Sequence, residues 1–246
     1  MEAHMEPIFE KEFYLDDLVT DCFGRLKTSA VLYFVQEMAG RHFDRMALTA
    51  ELEKSNLIWV IIRHRLQISR LPMKGETIRL ETWPMPTTRV AYPRSVVAYD
   101  EAGAELFRSV TLWVLMDRSS RNMVLPGKSG ILVPGILRGG ELPAPGSLTP
   151  ALCGSSAKRR VCYSDLDVND HMNNCRYLEW AADLLPSAFH KSHSLKDVTM
   201  CYLGEAREGD ELTVFWEMRP DGVLRIDIQR REKDSSLRIF TADLHY

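Results

Sequence analysis

In Tyr163-Ser-Asp165-Leu-Asp167-Val-Asn169-Asp170-His171-Met-Asn173-Asn174-Cys-Arg-Tyr177-Leu-Glu179-Trp180, polar residues recur at every second position before the pattern changes abruptly to that of a helix. Alternation of two predicts that Asp167, Asn169 and His171 share one side of an extended segment. All three can donate, accept or move a proton. They converge beside the N-terminus of a helix predicted over Asn173–Leu185, with Asn173 as its cap. Such a helix end supplies unpaired backbone N–H groups and a partial positive charge, a suitable place to hold a reacting carbonyl.

Working outward, the chain repeats itself. Asp21-Cys-Phe-Gly-Arg-Leu-Lys27 leads into the helical pattern of Ala30–Met38, as Asp165–His171 leads into Asn174–Ala182. Pairing Asp21 with Asp165 also pairs Tyr33 with Tyr177, and sets Phe23, Arg25 and Lys27 opposite Asp167, Asn169 and His171. Only the second copy then carries the polar triplet. Further on, Gly75-Glu-Thr-Ile78-Arg-Leu80-Glu-Thr-Trp83 parallels Gly209-Asp-Glu-Leu212-Thr-Val214-Phe-Trp216, and both read as a turn followed by an alternating strand. Each copy is predicted as strand, helix and several antiparallel strands, an α+β arrangement in which a sheet wraps around one helix. Residues 126–154 hold seven of the fourteen glycines and five of the twelve prolines. The expected organisation is therefore a first repeat over 1–125, a linker or crossover over 126–158 and a second repeat over 159–246.

Composition bounds the function. A chain of 246 residues with 45% hydrophobic and 26% charged content is that of an ordinary protein with a real core. A net charge of −3 argues against a general nucleic-acid binder. The longest aliphatic or aromatic run, Leu57–Ile62, is far short of the ~20 residues that span a bilayer. The polar, acidic start Met1–Pro7 is unlike a secretory signal. Cys22, Cys153, Cys162, Cys175 and Cys201 are odd in number and lack CxxC spacing, which argues against a disulfide framework and a thiolate zinc site. A cytoplasmic protein with reduced thiols is the simplest reading.

The stretch Asp167–Tyr177 resembles the D-x-N-x-H-x-N-N-x-x-Y pattern of the acyl-acyl carrier protein thioesterases of bacteria and plant plastids. Tyr202-Leu-Gly-Glu205-Ala-Arg-Glu-Gly209-Asp210 is similar to that family's segment after the helix, and the first half agrees more loosely through its helix and the Ile58–Ile62 strand. The resemblance implies a double hotdog fold that hydrolyses fatty acyl thioesters of acyl carrier protein in fatty acid biosynthesis, with no cofactor or metal. Carried over by position, the catalytic set is Asp167, Asn169, His171 and Glu205. The sequence departs from the family at Asp170, where Gly or Gln is usual, and at Met172, where Val is common. Ala206 stands where plant members have Cys, which excludes a cysteine mechanism at that position.

A thioester needs an oriented water, a base near the right pKa and donors for the developing oxyanion. Glu205 is expected to be the base, Asn169 to orient the water or thioester, and His171 to position the thioester or share the proton traffic. Asp167 would hold His171 or Asn169 in place. How Glu205 and His171 divide the duties of base and electrophile stays open at this level. By itself the triplet reads more readily as a turn and helix cap; Glu205 at the family's spacing reverses that order. Asn173 is a substrate-binding candidate as well as a cap. Phe34, Met38, Trp59, Ile61, Trp83 and Met85 are candidates either for the lining of an acyl tunnel or for plain core.

Lys158-Arg159-Arg160 and Arg63 with Arg65 would dock an acidic carrier protein or form a solvated basic face. An EF-hand is rejected, because its sixth and twelfth positions would be Asp170 and Arg176. Cys162 and Cys175 are poor nucleophile candidates, and His42, His64, His190 and His193 form no ligand set. The competing readings are an acyl-CoA thioesterase, a hotdog hydratase or dehydratase, and a non-catalytic acyl-binding protein. Oligomeric state is open, with a homodimer among the possibilities.

Overall fold

The computed structural model describes residues 6–149, 154–233 and 235–246. Cys153 and Met1–Met5 therefore lie outside the described residues. The chain divides into two compact units: one runs to Lys27 and resumes over Tyr33–Ala144, the other comprises Thr28–Leu32 and Pro145–Tyr246.

The first unit contains β1 (Phe9–Tyr14), α1 (Thr28–Arg45, whose first turn falls to the other unit), α2 (Leu48–Lys54), β2 (Leu57–Ile68), β3 (Thr77–Pro84), β4 (Tyr92–Tyr99), β5 (Glu105–Asp117), β6 (Met123–Val124) and the single-turn α3 (Pro126–Ser129). Its antiparallel strands are ordered β1-β3-β4-β5-β2, with β6 added on β5. The second unit contains β7 (Ser155–Arg160), α4 (Asn174–Ala182), α5 (Ser187–Ser192), β8 (Asp197–Tyr202), β9 (Glu211–Met218), β10 (Val223–Arg231) and β11 (Ser236–His245). Its order, β7-β9-β10-β11-β8, is the same permutation. The repeat inferred from sequence is thus a repeat of topology.

Each copy enters its third strand through a glycine with positive φ, Gly75 at 88° and Gly209 at 85°, a conformation costly for residues with a Cβ. In the first unit, α1 lies against the sheet through Phe34 on Phe13 (ring centroids 4.4 Å) and Phe43 on Trp59 (4.8 Å). In the second, Tyr177 of α4 stacks on Phe240 at 4.7 Å. A β-bulge between Ile61 and Arg63 and another between Ile228 and Gln229 bend the long strands.

Part of the Gly/Pro-rich stretch packs against the first unit. Ile131 and Val133 join the core cluster of Phe43, Leu57, Tyr92 and Leu115. Gly135 passes so close to the Met85 carbonyl that a side chain there would strike it. β7 begins at Ser155, inside the stretch expected to connect the halves.

His64 is buried in the first unit, its Nδ1 2.8 Å from Thr111 Oγ1. Burial lowers its pKa from 6.5 to about 3. Between those values the unfolded chain binds the extra proton, so stability falls as the pH drops below 6.5. Urea unfolding at a series of pH values should show roughly 2 kcal/mol lost through His64 between pH 6.5 and about 5. His64→Val should remove that part of the slope.

Candidate active site

The segment after β7 does not run extended. A 3-10 turn covers Tyr163–Asp165, and Leu166 and Met172 form an antiparallel bridge. Between them the chain reverses tightly: Asp167 N–H donates to the His171 carbonyl at 2.8 Å, and Asp170 N–H to the Asp167 carbonyl at 3.1 Å. The Asp167 carboxylate accepts the Asn169 N–H at 2.8 Å. This side-chain bond offers the backbone an alternative to extended structure, which is why the expected alternation gives way to a turn. Asp170 takes a φ of 61°, a conformation that Asp tolerates better than most residues.

The turn has a twin. Asp21 N–H donates to the Arg25 carbonyl at 2.7 Å, Gly24 N–H to the Asp21 carbonyl at 2.9 Å, and Phe23 N–H to the Asp21 carboxylate at 2.8 Å. Thr20 and Leu26 form the matching bridge, and Gly24 has the matching φ of 75°. The true counterpart of Asp21 is therefore Asp167, a shift of two residues from the pairing expected from sequence. Phe23 and Arg25 stand opposite Asn169 and His171, and Lys27 opposite Asn173, each at a helix N-cap. Tyr33, exposed, pairs with Glu179 and not with the buried Tyr177. Asp is thus common to both copies and serves the turn; Asn169 and His171 are what the second copy alone possesses.

His171 points back toward the loop after β8, its Nε2 3.1 Å from Glu205 Oε2. The two segments are joined by Met172 N–H donating to the Ala206 carbonyl at 2.8 Å. Arg230 secures the Glu205 loop, its Nη1 donating to the Glu205 carbonyl at 3.0 Å and to Asp210 Oδ2 at 2.9 Å. His171 is largely covered and Glu205 is more open, at 15% and 38% side-chain exposure. A carboxylate reachable by water thus lies against a more sheltered imidazole.

Asn169 is exposed at the tip of the turn beside a fully exposed Val168. Asn173 caps α4, its Oδ1 accepting from Cys175 N–H at 2.9 Å, and its carbonyl takes Arg176 N–H at 2.9 Å. Two of the N–H groups expected to polarise a carbonyl are therefore already committed.

Sequence reasoning missed two supports. Asp165 is buried, accepting from Cys162 N–H and Arg176 Nε at 2.9 Å each, while its carbonyl holds Asn173 N–H at 2.8 Å. Arg230 is the other; its place on a distant strand left no local signal. Of the first-half candidates, Phe34 and Met38 lie on α1 and Trp59 faces it from β2, Met38 being fully buried. Trp83 alternates to the opposite face of β3 from Thr82 and lies under Arg138, 4.7 Å from its guanidinium. It is thereby separated from the other three. Cys22 and Cys162 are exposed and Cys201 is buried, and none of the three is in a disulfide. Among the described residues no cluster of three or more His, Cys, Asp or Glu is arranged to hold a metal, and no helix is long and apolar enough to cross a membrane.

Family models for the acyl-ACP thioesterase N-terminal domain and C-terminal domain match residues 6–125 and 154–239. The chain belongs to the acyl-ACP thioesterase family. Among curated members of that family, it is 30% identical over 176 residues to the chloroplastic palmitoyl-acyl carrier protein thioesterase of Gossypium hirsutum, covering 68% of this chain and 43% of that one. It is 25% identical over 228 residues to the chloroplastic oleoyl-acyl carrier protein thioesterase of Coriandrum sativum, covering 80% and 60%. The chain spans about half the length of the curated relatives it matches.

Its fold is that of an acyl-ACP thioesterase from Bacteroides thetaiotaomicron (TM-score 0.82, 22% identity, 97% of both chains). It is equally that of the 12:0-ACP thioesterase from Umbellularia californica (TM-score 0.82, 20% identity, 98% and 97%). The two units are the two hotdog repeats expected of the family.

The Asp167 turn should behave as scaffold. Asp167→Ala is expected to lower stability by about 1 kcal/mol, the net worth of one hydrogen bond, and Asp21→Ala by more, because the Asp21 carboxylate also accepts from Arg25 N–H at 2.9 Å and Arg25 Nε at 3.1 Å. Asp167→Asn should retain most of it, since its amide oxygen accepts the same N–H. Urea unfolding of the three variants checks this.

Proposed function

We propose that the chain hydrolyses the thioester between a fatty acyl group and acyl carrier protein, releasing free fatty acid in fatty acid biosynthesis. The observation that carries this reading is the His171–Glu205 contact at 3.1 Å, on a turn that also presents Asn169, in a member of the acyl-ACP thioesterase family.

The geometry supports a division of labour. Glu205, the more exposed of the pair, takes a proton from water as the water oxygen attacks the thioester carbonyl carbon. The exposed Asn169 amide orients the water or the carbonyl. When the tetrahedral intermediate collapses, the C–S bond breaks and the departing thiolate takes up a proton delivered through His171. A thiolate leaves readily, so moderate acid assistance is enough. Asp167, Asp165, Asn173 and Arg230 act as positioning residues, because their side chains are engaged by the turn, the helix start and the loop.

The carrier is acyl carrier protein, as in the names of the curated relatives; comparing turnover on matched acyl-carrier-protein and acyl-CoA substrates tests this, and a clear CoA preference would reverse the assignment. Removing a positioned acid–base group commonly costs ~10²–10⁴ in rate. Losses of that order are expected for Glu205→Gln, His171→Ala and Asn169→Ala, with the fold intact by circular dichroism. Arg25→Ala, at the first-copy counterpart of His171, should leave hydrolysis nearly unchanged. Full activity in folded Glu205→Gln would sink the mechanism.

A further inference from the structure

Beneath α1, the inner face of the first sheet carries polar side chains where an apolar core would suffice. Arg94 on β4 stands opposite Thr111 on β5, which stands opposite His64 on β2, with Thr82 of β3 diagonal to Arg94. These four, with His42 from α1, are each at most 2% exposed. Arg94 Nη1 donates to His42 Nδ1 at 3.1 Å and to Thr82 Oγ1 at 3.2 Å, and the guanidinium lies 4.4 Å over the Phe43 ring. Its Nε and Nη2 have no hydrogen-bond partner, nor does His64 Nε2. Arg94 takes part in none of the ion pairs among the described residues. Burial lowers its pKa to about 9, which leaves it charged at neutral pH.

The fold itself does not require these groups. Pro84 and Met218 each lie nine residues beyond the turn glycine of their copy, Gly75 and Gly209. The strand registers then equate Arg94 with Leu224, Thr111 with Leu244 and His64 with Val198. The second unit fills all three positions with aliphatic side chains at most 1% exposed. A buried charge without a counter-charge is strongly destabilising, whereas apolar replacement is neutral or favourable. Keeping Arg94 therefore calls for something that compensates it. Nε and Nη2 form the edge of a guanidinium that grips a carboxylate through two parallel N–H···O bonds.

We propose that the first unit contains an internal carboxylate-binding site, in which Nε and Nη2 of Arg94 hold the two oxygens of a monoanionic carboxylate. One positive charge matches one negative charge, since His42 and His64 are buried as neutral rings. The surrounding Phe43, with Trp59 stacked on it at 4.8 Å, suits a carboxylate borne on a hydrocarbon chain. The shared chemistry is the carboxylate; its source is either the head of a free fatty acid or a small organic acid. Binding is read without turnover, so this proposal and the hydrolytic one fail separately.

The test titrates dodecanoate, dodecanol and acetate against the full chain, following the ¹⁵N resonance of the Arg94 Nε–H, which is assigned by its absence in Arg94→Leu. Dodecanoate should shift that resonance and bind about tenfold or more tightly than dodecanol, the difference expected of hydrogen bonds to a charged group. In Arg94→Leu, which copies the second unit, the preference should vanish. A shift with acetate as well assigns the site to carboxylates in general; a shift with dodecanoate alone assigns it to a fatty-acid head. Equal binding of dodecanoate and dodecanol, no shift with either carboxylate, or a preference that survives Arg94→Leu overturns the proposal. If Arg94→Leu does not fold, Arg94→Lys, charged but lacking the two-pronged edge, takes its place, and undiminished preference there is equally decisive.

Discussion

A helix that lies on a sheet must be entered at a set position and angle, and the hydrogen bonds that close the Asp21 and Asp167 turns set that entry in both copies. Each turn uses one carboxylate, two carbonyls and one residue of positive φ to reverse the chain in five residues. The bridge that follows, Thr20–Leu26 or Leu166–Met172, delivers the chain to the helix cap. In the second copy the same turn presents His171 to Glu205, so the element that starts the helix also carries residues of the candidate site.

The two copies diverge in complementary ways. At the turn, the second copy has Asn169 and His171 where the first has Phe23 and Arg25. At the sheet, the first copy has Arg94, Thr111 and His64 where the second has Leu224, Leu244 and Val198. One backbone permutation thus supports an exposed polar turn in one unit and a buried polar row in the other. Because the topology is common to both, these differences cannot be attributed to what the fold needs. Each copy serves as the other's control.

Much of the fold could be read from local pattern. The Gly75 and Gly209 turns, the alternating strands behind them and the Asn173 cap all depend on residues within a few positions of one another. The pairing of the copies failed by two residues because Asp165 and Asp167 are indistinguishable by type. Burial separates them: Asp165 is tied to Cys162, Arg176 and Asn173, while Asp167 closes the turn as Asp21 does. The Gly/Pro-rich stretch read as a linker or crossover because its composition breaks regular structure; burial of its Ile131 and Val133 in the first core has no such local signal.

The amino-acid sequence by itself determined the duplicated α+β plan, the family and the residues most able to do chemistry, because these follow from period, turn chemistry and residue type. The tertiary structure alone decided that the Asp167 carboxylate accepts the Asn169 N–H within the turn, that His171 meets Glu205, that Arg230 holds the Glu205 loop and that Trp83 faces away from α1. It alone revealed the unpaired edge of Arg94. Those outcomes depend on which strands become neighbours and on which groups lose water, and neither is encoded in the spacing along a single stretch of chain.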